Sequence, residues 1–276
     1  MIKIDVCIET VFTELPYIER IKRVAKIGFP GIEFWFHNRR FDGANLFEEM
    51  KDIEAIAKVV KDLNLEVTDF VVNSPQGENG GLLVKPEDRE KYLGRLRELI
   101  PLAHRLSCRK LITCTGNEVE GRSYEEQRKS VIDTLSEASK IVEKENIILV
   151  LEPLNTLIDH PGYFLDSVKE GAKIIREISH PHIRLLFDIY HMQIMEGNII
   201  STIEENIDII GHFHAAGVPG RHELYSGELN YPNIIKRIDE LGYKGCIGLE
   251  YFPSIDSEES LRKMKEFLMH SVRSSL

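Results

Sequence analysis

Short apolar runs rich in β-branched residues alternate with longer segments of helical periodicity along the whole chain. A strand, its crossover helix and the loops between them need about 30 residues or more, and the spacing of the apolar runs meets this requirement. The alternation therefore predicts eight parallel strands that are joined by helices. The predicted strands are Ile2–Ile8, Gly31–Phe36, Leu65–Val72, Lys110–Thr115, Ile147–Pro153, Ile183–Ile189, Ile209–Ala215 and Cys246–Tyr251.

Local signals mark the start of several predicted helices. Ser123 and Glu126 have the spacing of a capping box, and Asp256 with Glu259 forms a similar pair. Pro86 suits a first helical turn, because a backbone N–H is not needed there. The helix boundaries are therefore partly encoded in the local sequence.

Eight parallel strands can close into a barrel or form an open, doubly wound sheet. The chain has no glycine-rich phosphate or dinucleotide fingerprint after its first strand, and polar residues follow several different strands. In a barrel, the active site is assembled in this way at the C-terminal ends of the strands. We therefore expect an α/β protein with a single domain, residues 1–276, folded as a (β/α)8 TIM barrel.

The composition narrows the class of partner. Of the 276 residues, 42% are hydrophobic and 29% are charged, as in ordinary globular proteins. The net charge of −10 and the scattered Lys and Arg disfavour nucleic acid and membrane surfaces, so we expect a small-molecule partner. The start of the chain lacks the pattern of a signal peptide, and the cysteines form no CxxC pair. These features predict reduced thiols and a cytoplasmic location.

The last four predicted strands each end in an acidic or imidazole residue. Burying an isolated carboxylate is costly unless it is paired or binds a metal. One such residue alone could form a salt bridge or cap a helix, but the set predicts one shared divalent cation. Its mostly hard ligands suit Mn²⁺, Mg²⁺ or Co²⁺. The motifs LVLEPLN, LLFDIYH, GHFHAAG and IGLEYFP supply Glu152, Asp188, His214 and Glu250.

Two further histidines lie near these motifs. His191 follows the sixth strand and can face the same mouth, where it would contact substrate or metal-bound water, although a lone histidine is usually structural. His212 shares a strand face with His214 by alternation, although a histidine there is more often part of the barrel wall. At the end of the second strand, Glu33 and Trp35 also share one face, and Glu33 is a candidate for substrate binding.

Two loops are candidates for function. Gly217–Tyr231, after the seventh strand, combines glycines with ionisable residues, among them Arg221. Arg221 can hold a substrate carboxylate or polarise a carbonyl, and the alternative is a rim salt bridge with Glu223 or Glu228. Asn73–Gly81, after the third strand, is rich in Gly and Asn, and we interpret it as either a lid or an ordinary surface turn.

The chain resembles the hydroxypyruvate isomerase family of the xylose-isomerase-like barrels, a superfamily that also contains ketose 3-epimerases and endonuclease IV. The resemblance spans the whole chain. Its most specific parts are EPLNTLIDHPGYFL, FDIYHMQIMEGN, AGVPGRHEL with GELNYP, and LGYKGCIGLEYFP.

The resemblance implies a role for each candidate residue. Glu152, Asp188 and Glu250 would be metal ligands, and the two glutamates would move a proton on opposite faces of the substrate. His191 and Arg221 would contact substrate oxygens. One position departs from the pattern, because hydroxypyruvate isomerases commonly have glutamine where this chain has His214. Ketose 3-epimerases place histidine there.

These features predict a divalent-metal-dependent isomerase of a small hydroxy carbonyl compound, acting by proton transfer through an enediolate. The substrate would be a hydroxy-keto acid, as in hydroxypyruvate isomerases, or a free sugar if the chain is a ketose 3-epimerase. An endonuclease IV-like phosphodiesterase is the least favoured alternative, because Asn73 and Thr115 stand where that enzyme needs histidines. A homo-oligomer is compatible with the resemblance.

Overall fold

The computed structural model describes residues 2–273 and the side chains of residues 2–269. The strands are β1 Lys3–Cys7, β2 Gly31–Phe34, β3 Arg39–Phe41, β4 Leu46–Glu48, β5 Glu66–Phe70, β6 Lys110–Thr113, β7 Ile148–Leu151, β8 Ile183–Asp188, β9 Ile210–Ala215 and β10 Cys246–Leu249. The helices are α1 Tyr17–Ile27, α2 Ile53–Asp62, α3 Arg89–Arg105, α4 Tyr124–Glu145, α5 Val168–Ile178, α6 Ile189–Met195, α7 Ile199–Asn206, α8 Tyr231–Glu240 and α9 Ser257–Arg273.

The strands β1, β2 and β5 to β10 form one eight-stranded sheet in the order β5-β2-β1-β10-β9-β8-β7-β6. All eight lie inside the ranges predicted from the sequence. β1 pairs in parallel with β2 and β10, and β7 pairs in parallel with β6 and β8. Just beyond β5, Val71 forms a parallel bridge with Ile112 of β6, so the first and last strands of this order also meet.

The antiparallel hairpin of β3 and β4 was not predicted. Its turn contains Asp42-Gly43, and the Asp42 carboxylate accepts hydrogen bonds from the backbone N–H groups of Ala44 and Asn45. Gly43 has a φ of 102°, which L-residues other than glycine rarely adopt. The hairpin inserts a short exposed element between β2 and α2.

Contacts between Cα atoms divide the chain into two compact units. The first comprises Met1–Thr68, Asn198–Ile207 and Phe213–Leu276, and it buries residues such as Val6 and Ile32. The second comprises Asp69–Gly197 and Asp208–His212, and it buries residues such as Leu149, Leu185 and Phe187. Within the described part of the chain, no helix is both long enough and apolar enough to cross a membrane.

The predicted helix starts are confirmed. Ser123 and Glu126 form a reciprocal capping box at the start of α4. The Asp256 carboxylate accepts hydrogen bonds from the backbone N–H groups of Glu258 and Glu259 before α9. Pro86 opens a 3₁₀ turn, Pro86–Asp88, that leads into α3.

A buried ion pair fixes the loops after β1 and β2. Lys51 Nζ lies 2.9 Å from Glu9 Oε1, and both side chains are fully buried. Lys51 also donates hydrogen bonds to the carbonyl oxygens of Phe36 and Arg39, and Tyr17 donates one to Glu9. Burial lowers the pKa of Lys51 and raises the pKa of Glu9, so the two charges depend on each other.

We expect Lys51→Met to lower the free energy of unfolding by about 3–5 kcal/mol, because it leaves the Glu9 carboxylate buried without its ammonium partner. Urea denaturation measures this change. Lys58→Met is the matched control, since Lys58 is exposed on α2 and pairs only with Asp62, so we expect little change. Equal stability of the two variants would contradict a stabilising role for the buried pair.

Candidate active site

The four predicted ligands lie at or just beyond the C-terminal ends of consecutive strands of the sheet. Glu152 follows β7, Asp188 ends β8, His214 is the penultimate residue of β9, and Glu250 follows β10. All four side chains are buried. Residues at this edge of parallel strands form the active sites of (β/α)8 enzymes.

His214 links two buried carboxylates. Its Nδ1 lies 3.5 Å from Glu250 Oε2, and its Nε2 lies 3.4 Å from Glu33 Oε2. Glu33 is only 2% exposed, so the predicted substrate-binding residue lies within the protein interior beside His214. These contacts bring Glu33, His214 and Glu250 into one group.

Glu250 is also held by two side chains that donate hydrogen bonds. Trp35 Nε1 lies 2.5 Å from Glu250 Oε1, and Arg221 Nη2 donates to Glu250 Oε2. Burial acts to raise the pKa of Glu250, but Arg221, His214 and Trp35 outweigh it and hold the pKa well below its usual range. Glu250 is therefore a carboxylate near neutral pH.

Arg221 pairs with a carboxylate that the sequence analysis did not consider as its partner. Its partner is Glu250, and its guanidinium lies 5.9 Å from the ring centre of Phe252. The backbone fixes this arrangement, because Phe252 N–H donates to the Arg221 carbonyl at 2.7 Å and Arg221 has a φ of 57°. Arg221 is thus positioned by the segment that follows β10.

The buried carboxylate of Glu223 fastens the same loop. It accepts hydrogen bonds from Ser254 N–H at 3.0 Å, from Ser254 Oγ at 2.7 Å and from Ser260 Oγ at 2.7 Å. Burial raises the pKa of Glu223, but these hydrogen bonds outweigh it and leave the pKa below its usual value. Glu223 has a positioning role and is not a partner of Arg221.

The other two predicted ligands, Asp188 and Glu152, both belong to the second unit. Asp188 Oδ1 accepts hydrogen bonds from the N–H groups of Tyr190 and His191, so it caps α6. Its other oxygen, Oδ2, lies 3.5 Å from His191 Nε2. The Glu152 carbonyl accepts a hydrogen bond from Tyr163 at 2.9 Å, which fixes the backbone at this strand end.

His212 belongs to a different buried network. Its Nε2 lies 3.0 Å from Asp69 Oδ2, and its Nδ1 lies 2.8 Å from Lys110 Nζ. Lys110 begins β6, at the end of the strand opposite to the C-terminal edge. His212 is therefore part of the barrel wall, which was the structural alternative raised by the sequence.

Two sets of buried residues within the described part of the chain could hold a metal ion. In one of them, Asp69 and His212 already pair with each other, and the Lys110 ammonium lies against His212. A cation is disfavoured beside that positive charge. The sets are Glu33, Asp69, His212 and His214, and Glu152, Asp188, His214 and Glu250.

The loop Asn73–Gly81 is held by internal hydrogen bonds. Asn79 N–H donates to Ser74 Oγ at 3.2 Å, and Ser74 N–H donates to the Asn79 carbonyl at 3.0 Å. Asn73 Nδ2 donates to the Gly81 carbonyl at 3.1 Å. Because several of its residues are buried and hydrogen-bonded within the loop, this segment resembles an ordinary turn more than a lid.

The sequence model of a family described as xylose isomerase-like TIM barrel matches residues 21–269. The chain belongs to this family. The (β/α)8 barrel that was predicted from the alternation of strands and helices is thereby confirmed.

Known proteins resemble this barrel along almost their whole length. The hydroxypyruvate isomerase of Escherichia coli K12 is 30% identical and covers 97% of this chain and 100% of its own. A 2-oxo-tetronate isomerase of Cupriavidus necator is 28% identical, over 93% of this chain and 95% of its own. A Brucella melitensis structure described as an AP endonuclease of family 2 is 30% identical, with a TM-score of 0.86, over 97% of this chain and 99% of that chain.

The structure of an L-ribulose 3-epimerase is 21% identical, with a TM-score of 0.78, over 100% of this chain and 97% of that chain, and it shares the fold of this barrel. These relationships make the chain an isomerase of this family, as the motifs predicted.

Several contacts of the site could not be read from the motifs. Phe252 and Asn155 were not singled out, although both lie within three residues of a predicted ligand. Their positions close to Glu250 and Glu152 in the sequence could have drawn attention to them. Their contacts, however, are made with residues that are distant in the sequence. The partner of Arg221 is such a case, because Glu250 lies 29 residues further along the chain.

Gly248 of β10 makes room for Glu33. A Cβ atom at Gly248 would lie 2.8 Å from the Glu33 carboxyl carbon, closer than such atoms approach. We expect Gly248→Ala to destabilise the protein by about 1–3 kcal/mol, because the buried Glu33 must move within a packed interior.

Thermal unfolding measures this change. Gly94→Ala is the control: Gly94 lies in α3 with nothing near its added Cβ, and alanine should stabilise that helix by about 0.5–1 kcal/mol. An unchanged melting temperature for Gly248→Ala would show that Glu33 does not depend on this space.

Proposed function

We propose that the protein is a divalent-metal-dependent isomerase of small hydroxy-keto acids, of the hydroxypyruvate isomerase type. The proposal rests on one observation, the ion pair between the guanidinium of Arg221 and the buried carboxylate of Glu250. A guanidinium at that point suits a substrate that brings its own carboxylate. The full-length relatives named above act on hydroxypyruvate and on 2-oxo-tetronate, and both compounds carry a carboxylate.

The proposed ligands of the cation are Glu152, Asp188, His214 and Glu250. Three carboxylates and one imidazole are mostly hard donors, and such a set fits Mn²⁺, Mg²⁺ or Co²⁺ better than a structural zinc ion. When bound, the cation would polarise the carbonyl and neighbouring hydroxyl oxygens of the substrate.

The two glutamates would carry the proton. In the isomerisation of hydroxypyruvate to tartronate semialdehyde, one carboxylate removes a proton from C3 and an enediolate forms. A proton is then delivered to C2, while the hydroxyl proton on O3 is lost and one is gained on O2, so the atoms balance. The low pKa of Glu250 keeps it ionised before the proton is transferred. Arg221 and His191 would bind substrate oxygens.

A ketose 3-epimerase is the second candidate, and His214 is the observation that favours it. In that reaction the proton returns to the carbon from which it was taken, but on the opposite face. Proton removal beside a carbonyl is common to both reactions, so the same ligands and glutamates would serve. The carboxylate of the substrate distinguishes the two candidates.

A phosphodiesterase is disfavoured by the residues beyond β5 and β6. Asn73 Oδ1 accepts hydrogen bonds from Thr113 Oγ1 at 3.0 Å and from Cys114 N–H at 3.1 Å. Thr115 N–H donates to Tyr163 at 2.8 Å. Asn73 and Thr115 are neutral and already form these hydrogen bonds. They therefore do not provide the additional ligands that a phosphodiesterase site with several metal ions needs.

Metal binding can be tested directly with Asp188→Asn. Asparagine caps a helix about as well as aspartate, so α6 should keep its start while one ionised ligand is lost. After chelation, we expect calorimetric titration to show one Mn²⁺ per chain for the unchanged protein and at least about tenfold weaker binding for the variant. The exposed Asp62→Asn is the matched control. Equal Mn²⁺ affinity in all three proteins would refute the ligand set.

Substrate class can be tested by comparing hydroxypyruvate, 2-oxo-tetronate and free ketoses. We expect turnover of the acids, and a rise of about 10–100-fold in their KM for Arg221→Lys, because a bidentate charged contact is lost. Arg176→Lys, at an exposed ion pair with Asp208, should leave KM unchanged. Turnover of ketoses without turnover of either acid would replace this proposal by the epimerase.

A further inference from the structure

Asn155 directs two hydrogen-bond donors at one ring nitrogen of His191. The backbone N–H of Asn155 points at His191 Nδ1, with 3.2 Å between the nitrogens, and the side-chain Nδ2 of Asn155 lies 2.6 Å from the same atom. Both residues are buried, with His191 1% exposed. A backbone N–H can only donate a hydrogen bond, so Nδ1 must offer its lone pair.

The orientation of the Asn155 amide is fixed independently of the histidine. Its Oδ1 accepts hydrogen bonds from the N–H groups of Ile158 and Asp159, at 3.1 and 2.9 Å. Its Nδ2 donates to Asp159 Oδ2 at 2.6 Å. Because the oxygen must face those backbone donors, the NH₂ group is the part that faces His191.

Two donors at Nδ1 leave the ring proton on the other nitrogen. His191 Nε2 therefore carries hydrogen in the neutral imidazole, and it lies 3.5 Å from Asp188 Oδ2. The rings of His160 and Tyr190 lie 5.4 and 5.2 Å from the His191 ring, between ring centres, and restrict its rotation. The orientation of the imidazole ring, and with it the direction of the Nε2–H bond, is therefore restricted.

We propose that Asn155 is a positioning residue whose two donors keep His191 Nδ1 an acceptor and leave the ring hydrogen on Nε2. From Nε2, His191 would donate a hydrogen bond to the substrate oxygen on which negative charge develops. The part that concerns substrate rests on the proposed isomerase function, whereas the protonation pattern does not. A donor aimed at a developing oxyanion stabilises the transition state more than the ground state. His191 acts here as a donor and not as the base.

The protonation pattern can be observed by NMR of the full chain, labelled with ¹⁵N in histidine and saturated with Mg²⁺. Long-range ¹H–¹⁵N spectra distinguish a protonated ring nitrogen from an unprotonated one, and His191→Gln identifies the His191 signals by their loss. We expect hydrogen on Nε2 and none on Nδ1. Hydrogen on Nδ1 would overturn the proposal.

An exchange of two side chains tests the role of Asn155 without removing the local hydrogen bond. In the double variant Asn155→Asp, Asp159→Asn the amide and carboxylate change places, so the total charge and the bond between the residues are kept. A carboxylate then replaces the NH₂ group at Nδ1 and competes there with the backbone N–H of Asn155, which remains. We expect the carboxylate to prevail and hydrogen to appear on Nδ1. Asn230→Asp, an exposed helix cap, is the matched control and should leave the His191 signals unchanged. Signals that stay unchanged in the double variant would overturn the proposal.

The kinetic expectation is a fall of about 10²-fold in kcat for the double variant with little change in KM, because the lost contact is made mainly in the transition state. A changed protonation pattern with unchanged kcat would overturn the positioning role. The NMR result holds for either substrate class. Failure of the isomerase proposal would appear only in the substrate panel, so the two failures are distinguishable.

Discussion

The ion pair between Arg221 and Glu250 is the contact on which the candidate site depends. A carboxylate as deeply buried as Glu250 is stable in its ionised form only with opposite charge and hydrogen-bond donors around it. Arg221, His214 and Trp35 supply them from three separate parts of the chain. The loop after β9 therefore owes its conformation to a residue that follows β10, and the clamp formed by Glu223 keeps the two segments together.

The other buried carboxylates also need a positive charge or hydrogen-bond donors beside them, and different residues supply these. Glu9 is neutralised by Lys51, and the two form a fully buried pair just beyond the C-terminal end of β1. Asp69 pairs with His212, which in turn contacts Lys110. In both networks a lysine supplies the positive charge, so no cation is required. The proposed ligand set has three carboxylates, and Arg221 pairs with one of them, Glu250. The larger number of carboxylates distinguishes the proposed ligand set from these two paired networks.

The sequence was most informative where local pattern determines structure. The eight strands of the barrel could be predicted because their apolar runs recur at the period of a βα unit, and the cap of α4 is a property of Ser123 and Glu126 alone. The β3–β4 hairpin was missed because its strands have only three residues each and β4 is exposed, with Leu46 and Phe47 37% and 39% exposed. Its Asp42-Gly43 turn was the signal that could have revealed it.

Contacts between loops were the part that sequence could not supply. Arg221 has acidic residues close to it in sequence, and a local interpretation chooses them as partners. The chain instead directs Glu223 to Ser254 and Ser260, and Arg221 to Glu250. Which acid an arginine meets depends on how two loops fold over the strand ends, and local periodicity carries no information about that.

The identity of the residue at position 214 says less about the reaction than its contacts do. His214 reaches Glu250 through Nδ1 and Glu33 through Nε2, so it ties a proposed ligand to the second strand. Isomerisation and epimerisation both begin with removal of a proton beside a carbonyl, and they differ in where the proton returns. That choice depends on how the substrate lies between the glutamates. His214 is one of three side chains that hold Glu250, together with Arg221 and Trp35, so its identity alone does not distinguish the two reactions.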